Sequence, residues 1–296
     1  YLSAALLVVS GLVYSALSDH RLPMIQGAEV VLTLDETTQS DRLGSWRERL
    51  QERLNRNPED AKSWYLLGHA ALKLSDASAA AQAFAKTDAL VENDVSVKFY
   101  WLQARLMANN GQLDNVSEGL ANQLLSMDPN NSPVLELLSV TMMQRGDLHQ
   151  AIRYMNRAIT ASGNVDRQIA LASAITVLRG RLDAKAPHIA VSVTATAEPE
   201  DRAVVFVVAR PPGGGMPYAA VRRPAAMLPF NVQLDDLVSM SEGRSLSAAE
   251  EFEILVRVSK QGIAQANTDD WVWRSAVMTQ QDLQNGKAVK ATLQPN

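Results

Sequence analysis

Four histidines are the first side chains to weigh for chemistry, and His20, His69, His149 and His188 sit on unrelated segments with no metal-ligand spacing. With no cysteine, the chain forms no disulfide, offers no thiolate nucleophile and cannot hold haem by a thioether. The carboxylate pairs Asp235-Asp236 and Glu250-Glu251 are neighbours in sequence. Adjacent side chains on a strand point to opposite faces, so neither pair can share a catalytic proton, and both read as solvated surface. The loop Pro211-Pro212-Gly213-Gly214-Gly215-Met216-Pro217 has the glycine content of a phosphate cradle. A cradle needs a helix N-terminus behind it, usually with Lys and Ser or Thr. Here Pro217 and Tyr218 lead into a strand, which makes the segment a hairpin connection. No Ser/His/Asp grouping is discernible. The residues predict no catalytic group, no metal and no cofactor, and leave recognition of another molecule.

The side chains suited to recognition come from a repeat between about residues 58 and 165. Trp64, Leu67, Gly68 and Ala71, followed by Ala80 and Phe84, match the tetratricopeptide (TPR) spacing, with Ala where the first helix usually carries Tyr. A second copy holds Trp101, Ala104 and Ala108, then Ala121 and Leu124, and closes at Asp128-Pro129-Asn130-Asn131. A third runs through Leu135, Leu138 and Met142, turns at Gly146-Asp147 and continues with Ala151, Met155 and Ala158. Starts at Ala61, Lys98 and Ser132 stand 37 and 34 residues apart, near the ~34 of this repeat. Small residues such as Gly68, Ala80, Ala104 and Ala151 let paired helices approach. An amphipathic helix over residues 41–56 and another over 165–182 are expected to cap the array.

In a repeat of this type the first helix of each pair lines the concave side. That rule selects Tyr65, His69 and Leu72; then Phe99, Leu102, Leu106 and Asn109; then Glu136, Val140 and Met143 as a peptide-binding groove. Its mostly apolar lining suits the nonpolar face of a guest helix. It lacks the Lys, Arg and Asn set with which other TPR proteins clamp an acidic C-terminal carboxylate.

Composition supports packed domains, with 47% hydrophobic and 20% charged residues over 296 positions. A net charge of -4 gives no pull toward polyanions, so nucleic acid is not an expected partner. From Leu2 to Leu17 the chain carries no charge. With Tyr1 and Ser18 this run approaches the roughly 17 residues of a spanning helix, so residues 1–18 are expected to be a transmembrane helix. The flank that follows holds Asp19, Glu29, Asp35, Glu36 and Asp41 against Arg21 alone. A flank that is not basic belongs outside the cytoplasm, which places residues 19–40 as a periplasmic linker and the rest in the periplasm.

Near Pro187 the pattern changes. Ile189, Val191, Val193 and Ala195 alternate with Ala190, Ser192, Thr194 and Thr196, which is the period of a strand. Further strands are expected over residues 203–210, 218–222, 230–235, 252–259, 271–278 and 287–293. Seven short strands predict a mostly antiparallel β sandwich or barrel. The fold class is α+β multidomain: a transmembrane helix, a TPR domain over 41–183 made of three helix pairs with capping helices, and a β domain over 184–296.

This order of parts, with AVVFVVARPPGGGMPYAAVRR, LPFNVQLDDLVSM and EFEILVRVSKQGIAQ in succession, resembles the CcmI/CycH family of cytochrome c maturation. The chain departs from that family at Tyr218 and Arg223, where residues are usually smaller or apolar, and at Asn267-Thr268-Asp269-Asp270, where Pro-Gly-Asp is typical. The resemblance implies a non-enzymatic, membrane-anchored chaperone that holds apocytochrome c, chiefly its C-terminal helix, and delivers it to the other subunits of the haem ligation complex. A TPR scaffold that assembles another envelope complex without handling unfolded clients is the alternative.

Overall fold

A computed structural model describes residues 27–182, 186–200, 202–240 and 243–295. The expected membrane span, residues 1–18, lies outside them; among the described residues no helix is long and apolar enough to cross a membrane. The chain divides into two compact units, one ending at Ser126 and one beginning at Met127.

The first unit holds a 3-10 turn, Glu29–Leu32, and helices α1 Ser40–Arg56, α2 Ala61–Lys73, α3 Ala77–Leu90, α4 Val95–Ala108 and α5 Asn115–Met127. Aspartates fix the helix starts. Asp60, Asp76, Asp94 and Asp114 accept the backbone N–H of Ser63, Ala79, Val97 and Ser117 at 3.1, 3.0, 3.1 and 2.9 Å, which satisfies donors the helix itself leaves unpaired. Because Asp94 caps it, α4 begins at Val95 and not at the Lys98 expected from the repeat. The turns within the pairs share one geometry. Ser75 (φ 60°) and Asn110 (φ 52°) adopt the left-handed conformation, and the next residues, Asp76 and Gly111, donate N–H to the carbonyls of Ala71 and Leu106 at 2.8 and 2.7 Å.

Packing follows the small residues. Phe84 is fully buried, and a Cβ on Gly68 would stand 2.7 Å from its ring. Ala28, Val31 and Leu34 form one core with Leu43, Leu50, Leu66 and Leu67. Part of the segment read as a linker, 19–40, is thus core, and Lys73 Nζ holds it by donating to the carbonyls of Leu32 and Leu34 at 2.9 and 2.7 Å.

The second unit opens with α6 Ser132–Gln144, α7 Leu148–Ala161 and α8 Val165–Arg179, capped by Asn131, Asp147 and Asn164. Gly146 (φ 77°) repeats the turn geometry of the first unit. Strands β1 Ile189–Ala195, β2 Val204–Arg210, β3 Ala219–Pro224, β4 Phe230–Leu234, β5 Glu251–Ser259, β6 Trp271–Arg274, β7 Met278–Thr279 and β8 Ala288–Leu293 follow, with a short helix, α9 Gln280–Gln284, before the last. One sheet has the order β4-β1-β8 and the other β3-β2-β5-β6, with β7 paired to β5. Val191, Val193 and Leu293 of the first share a core with Val205, Val207, Phe252, Ile254 and Val256 of the second, which makes a sandwich.

Two sequence expectations change here, while the mostly antiparallel pairing holds with one exception. The strand expected over 271–278 is two strands, because Ser275 interrupts the ladder: its N–H donates to Ile254 O at 2.9 Å and its hydroxyl accepts the Ile254 N–H at 2.9 Å. β8 pairs parallel with β1, whereas the remaining pairs are antiparallel. Asp235 is not solvated surface. It precedes a 3-10 turn, Asp236–Val238, and its carboxylate takes both Nη atoms of Arg179 at 2.5 and 3.1 Å with the side chains 14% and 11% exposed.

Candidate peptide-binding surface

Three helices of the first unit bring four rings together. His69 stands one turn after Tyr65 on α2, with ring centroids 4.5 Å apart. Tyr100 on α4 lies 4.4 Å from His69 and Phe84 on α3 lies 5.2 Å from it, each edge to face, the arrangement that aromatic quadrupoles favour. Phe84 stacks on Tyr100 at 5.7 Å, and Phe99 meets Tyr100 edge-on at 5.6 Å. Phe84 is interior, while Tyr65, Phe99 and Tyr100 are half-exposed.

His69 is 8% exposed, and its Nε2 has no hydrogen-bond partner among the described residues. Burial first, then the charge of Lys73, lowers its pKa to about 4, so the imidazole is neutral at neutral pH. Burial, then the neighbouring Tyr100 and Asp94, raises the pKa of the Tyr65 hydroxyl. Chemically this is a partly exposed aromatic surface above a buried, unengaged imidazole nitrogen. It can bury apolar area, and among the described residues no group of three or more His, Asp or Glu could hold a metal.

The other residues selected from sequence divide between the units. Leu72 is half-buried beside the Ala71–Phe84 cluster. Leu102 and Leu106 are 0% and 3% exposed, so they are interior residues rather than groove lining. Asn109 follows α4 and donates Nδ2–H to Asp114 at 2.9 Å. Glu136, Val140 and Met143 lie on α6 of the second unit. Glu136 accepts from Arg167 Nε at 2.6 Å, Val140 is 44% exposed and Met143 is half-buried.

The physical reason for the Leu102 and Leu106 correction is a register slip. The left-handed turn residues Ser75, Asn110 and Gly146 are 35 and 36 residues apart. Counted back from them, Tyr65 corresponds to Tyr100 and Glu136, His69 to Ala104 and Val140, and Leu72 to Met107 and Met143. Met107 is 51% exposed. Counting from Lys98 passed over Tyr100 and Met107. The turn Asn109-Asn110-Gly111 was the signal that could have found them, since Asn and Gly tolerate the left-handed conformation that ends such a helix.

Residues 34–169 match the family described as "Cytochrome c-type biogenesis protein H TPR domain", and residues 187–291 match "Cytochrome c-type biogenesis protein H Ig-like domain". The chain is 29% identical over 245 residues to the cytochrome c-type biogenesis protein CycH of Pseudomonas aeruginosa. That alignment covers 76% of this chain and 60% of the relative, so the chain spans about three-fifths of the relative's length. Among solved structures, a MamA double mutant is 16% identical with a TM-score of 0.42, covering 53% of this chain and 85% of that one. A thermophilic TPR protein of Thermus thermophilus is 16% identical with a TM-score of 0.36, covering 53% of this chain and 96% of that one.

Proposed function

We propose, for a chain that belongs to the cytochrome c-type biogenesis protein H family, that its first unit receives the apolar face of the C-terminal helix of apocytochrome c. The chain then passes this client to the other subunits of the haem ligation complex. It acts at the bacterial inner membrane, held by residues 1–18, with the remainder in the periplasm. The family is one of biogenesis proteins and not of catalytic enzymes.

The observation that carries this reading is the half-exposed cluster of Tyr65, Phe99 and Tyr100 over the unengaged His69 Nε2. Before haem is attached, the amphipathic terminal helix of a cytochrome has no core of its own to enter. Rigid aromatic side chains bury large area at low entropic cost and are the commonest interface anchors, so such a helix gains most by laying its apolar face across them.

The test is calorimetric titration of the detergent-solubilised chain with a peptide of the apocytochrome c C-terminal helix, and with apo and haem-loaded cytochrome. Truncating one hot spot costs ~2 kcal/mol or more. Phe99→Ser together with Tyr100→Ser is therefore expected to weaken peptide binding by more than tenfold with helicity retained. Haem-loaded cytochrome is expected to bind poorly, because its terminal helix is already packed. Equal binding of apo and holo forms, or none of the peptide, would favour the scaffold reading and overturn this one.

A further inference from the structure

We propose that the second unit carries a carboxylate-binding pocket built around Arg223, a site distinct from the aromatic surface of the first unit. Between the ends of α7 and α8 and the strands β3 and β4 lies a cavity of about 750 Å³, lined by Ile175, Val221, Val232 and Val238 with Arg179 and Arg223. Ligand pockets typically run roughly 300 to 1,000 Å³, mostly apolar with a few polar groups that fix orientation.

Arg223 is 5% exposed, and its hydrogen bonds go to neutral acceptors. Nη1 donates to the Arg222 carbonyl at 2.9 Å, and both Nη atoms reach Asn156 Oδ1 only at 3.4 Å. Among the described residues no carboxylate forms an ion pair with it. Among the described residues, the two acids that line the cavity are engaged elsewhere: Asp235 takes Arg179 through both oxygens, and Asp236 accepts from Ser247 N at 3.0 Å and Ser247 Oγ at 2.5 Å. Burial, then the charge of Arg179, lowers the Arg223 pKa to about 10, which leaves it cationic at neutral pH.

A buried cation without a counterion carries a large desolvation penalty, which one neutral carbonyl at 2.9 Å and an amide oxygen at 3.4 Å offset only in part. An incoming anion removes that penalty. A guanidinium presents paired N–H donors that match the two oxygens of a carboxylate, and the Ile and Val lining accommodates an aliphatic group attached to it. The ligand class is a carboxylate on an aliphatic residue, from either a peptide C-terminus or an acidic side chain.

The test uses the detergent-solubilised full chain and calorimetric titration with three probes at matched ionic strength: N-acetyl-Ala-Leu with a free carboxylate, its C-terminal amide, and N-acetyl-glutamic acid α-amide. At least one free acid is expected to bind no less than tenfold more tightly than the amide. Preference for N-acetyl-Ala-Leu assigns the peptide terminus, and preference for the glutamyl probe assigns the side chain; either supports the site. Arg223→Met is expected to lose acid binding and to melt at a higher temperature than the parent, since it removes an uncompensated buried charge, whereas a purely structural Arg223 would give a lower one. Arg223→Lys is expected to keep weak binding. Equal binding of acid and amide, binding of neither acid, or full acid binding by Arg223→Met would overturn the proposal. Should Arg223→Met fail to fold, the acid-against-amide comparison on the parent chain decides alone.

Discussion

At position 69 the chain buries an imidazole whose Nε2 has no hydrogen-bond partner among the described residues. His69 is buried among Tyr65, Phe84 and Tyr100, and burial lowers its pKa from 6.5 to about 4. The unfolded chain takes up a proton at this residue below pH 6.5, whereas the folded chain resists until about pH 4. Stability from this group is therefore complete above pH 6.5 and declines as pH falls through that window. The loss reaches roughly 3 kcal/mol by linkage at 1.36 kcal/mol per unit. Urea midpoints at pH 7.5 and 4.5 are expected to differ more for the parent than for His69→Phe; the same difference in both would show that another group governs the acid limb. The neighbouring Gly68 is constrained by shape alone. Its Cβ would meet the Phe84 ring at 2.7 Å, so Gly68→Ala is expected to destabilise by about 1 to 3 kcal/mol, the usual penalty of overpacking.

Within helices, burial ranks the two large repeat residues that spacing alone treats as equal. Phe84 is fully buried and central to its cluster, so Phe84→Ala is expected to cost about 3 to 5 kcal/mol. Trp64 is half-buried and its Nε1 donates to Pro58 O at 2.7 Å, so Trp64→Ala is expected to cost less. Thermal melts by circular dichroism check the order, and a larger effect at Trp64 would refute this packing. Helix periodicity and the Ile189–Ala195 alternation were legible because burial imposes those periods directly. Less legible was anything set by one side chain acting on backbone. The Asp94 cap moved the start of α4, the Ser275 hydroxyl split a strand, and Thr279 with Asp282 built a capping box that starts α9. Counting from Lys98 instead of from the helix start that Asp94 sets selects the interior Leu102 and Leu106 and passes over Tyr100. Asp235 was misread for a related reason: its partner Arg179 is 56 positions away, and no local pattern announces such a pairing.

The chain as a whole separates at Ser126 and Met127, not where helices give way to strands. Helices α6, α7 and α8 therefore belong to the same compact unit as the sandwich, and named bonds account for it. Arg179 at the end of α8 binds Asp235 and, at 3.1 Å, Gln233 Oε1. Arg222 on β3 donates to Ile159 O of α7 at 3.2 Å. Removing these helices strips the partner from Asp235 and uncovers the faces of β3 and β4 that meet them, which the sandwich core does not replace. A fragment of residues 127–296 is accordingly expected to unfold cooperatively, followed through Trp271 and Trp273. A fragment of residues 187–296 is expected to unfold at lower urea or to bind a hydrophobic dye. Within the intact chain, Arg179→Met is expected to cost about 3 to 5 kcal/mol, because it leaves a largely buried carboxylate with the Leu237 N–H but no counterion, while Arg179→Met with Asp235→Leu recovers most of that loss. Equal urea midpoints for the two fragments, or no recovery in the double variant, would show that the sandwich stands without its helices and that the Arg179 pair does not join them.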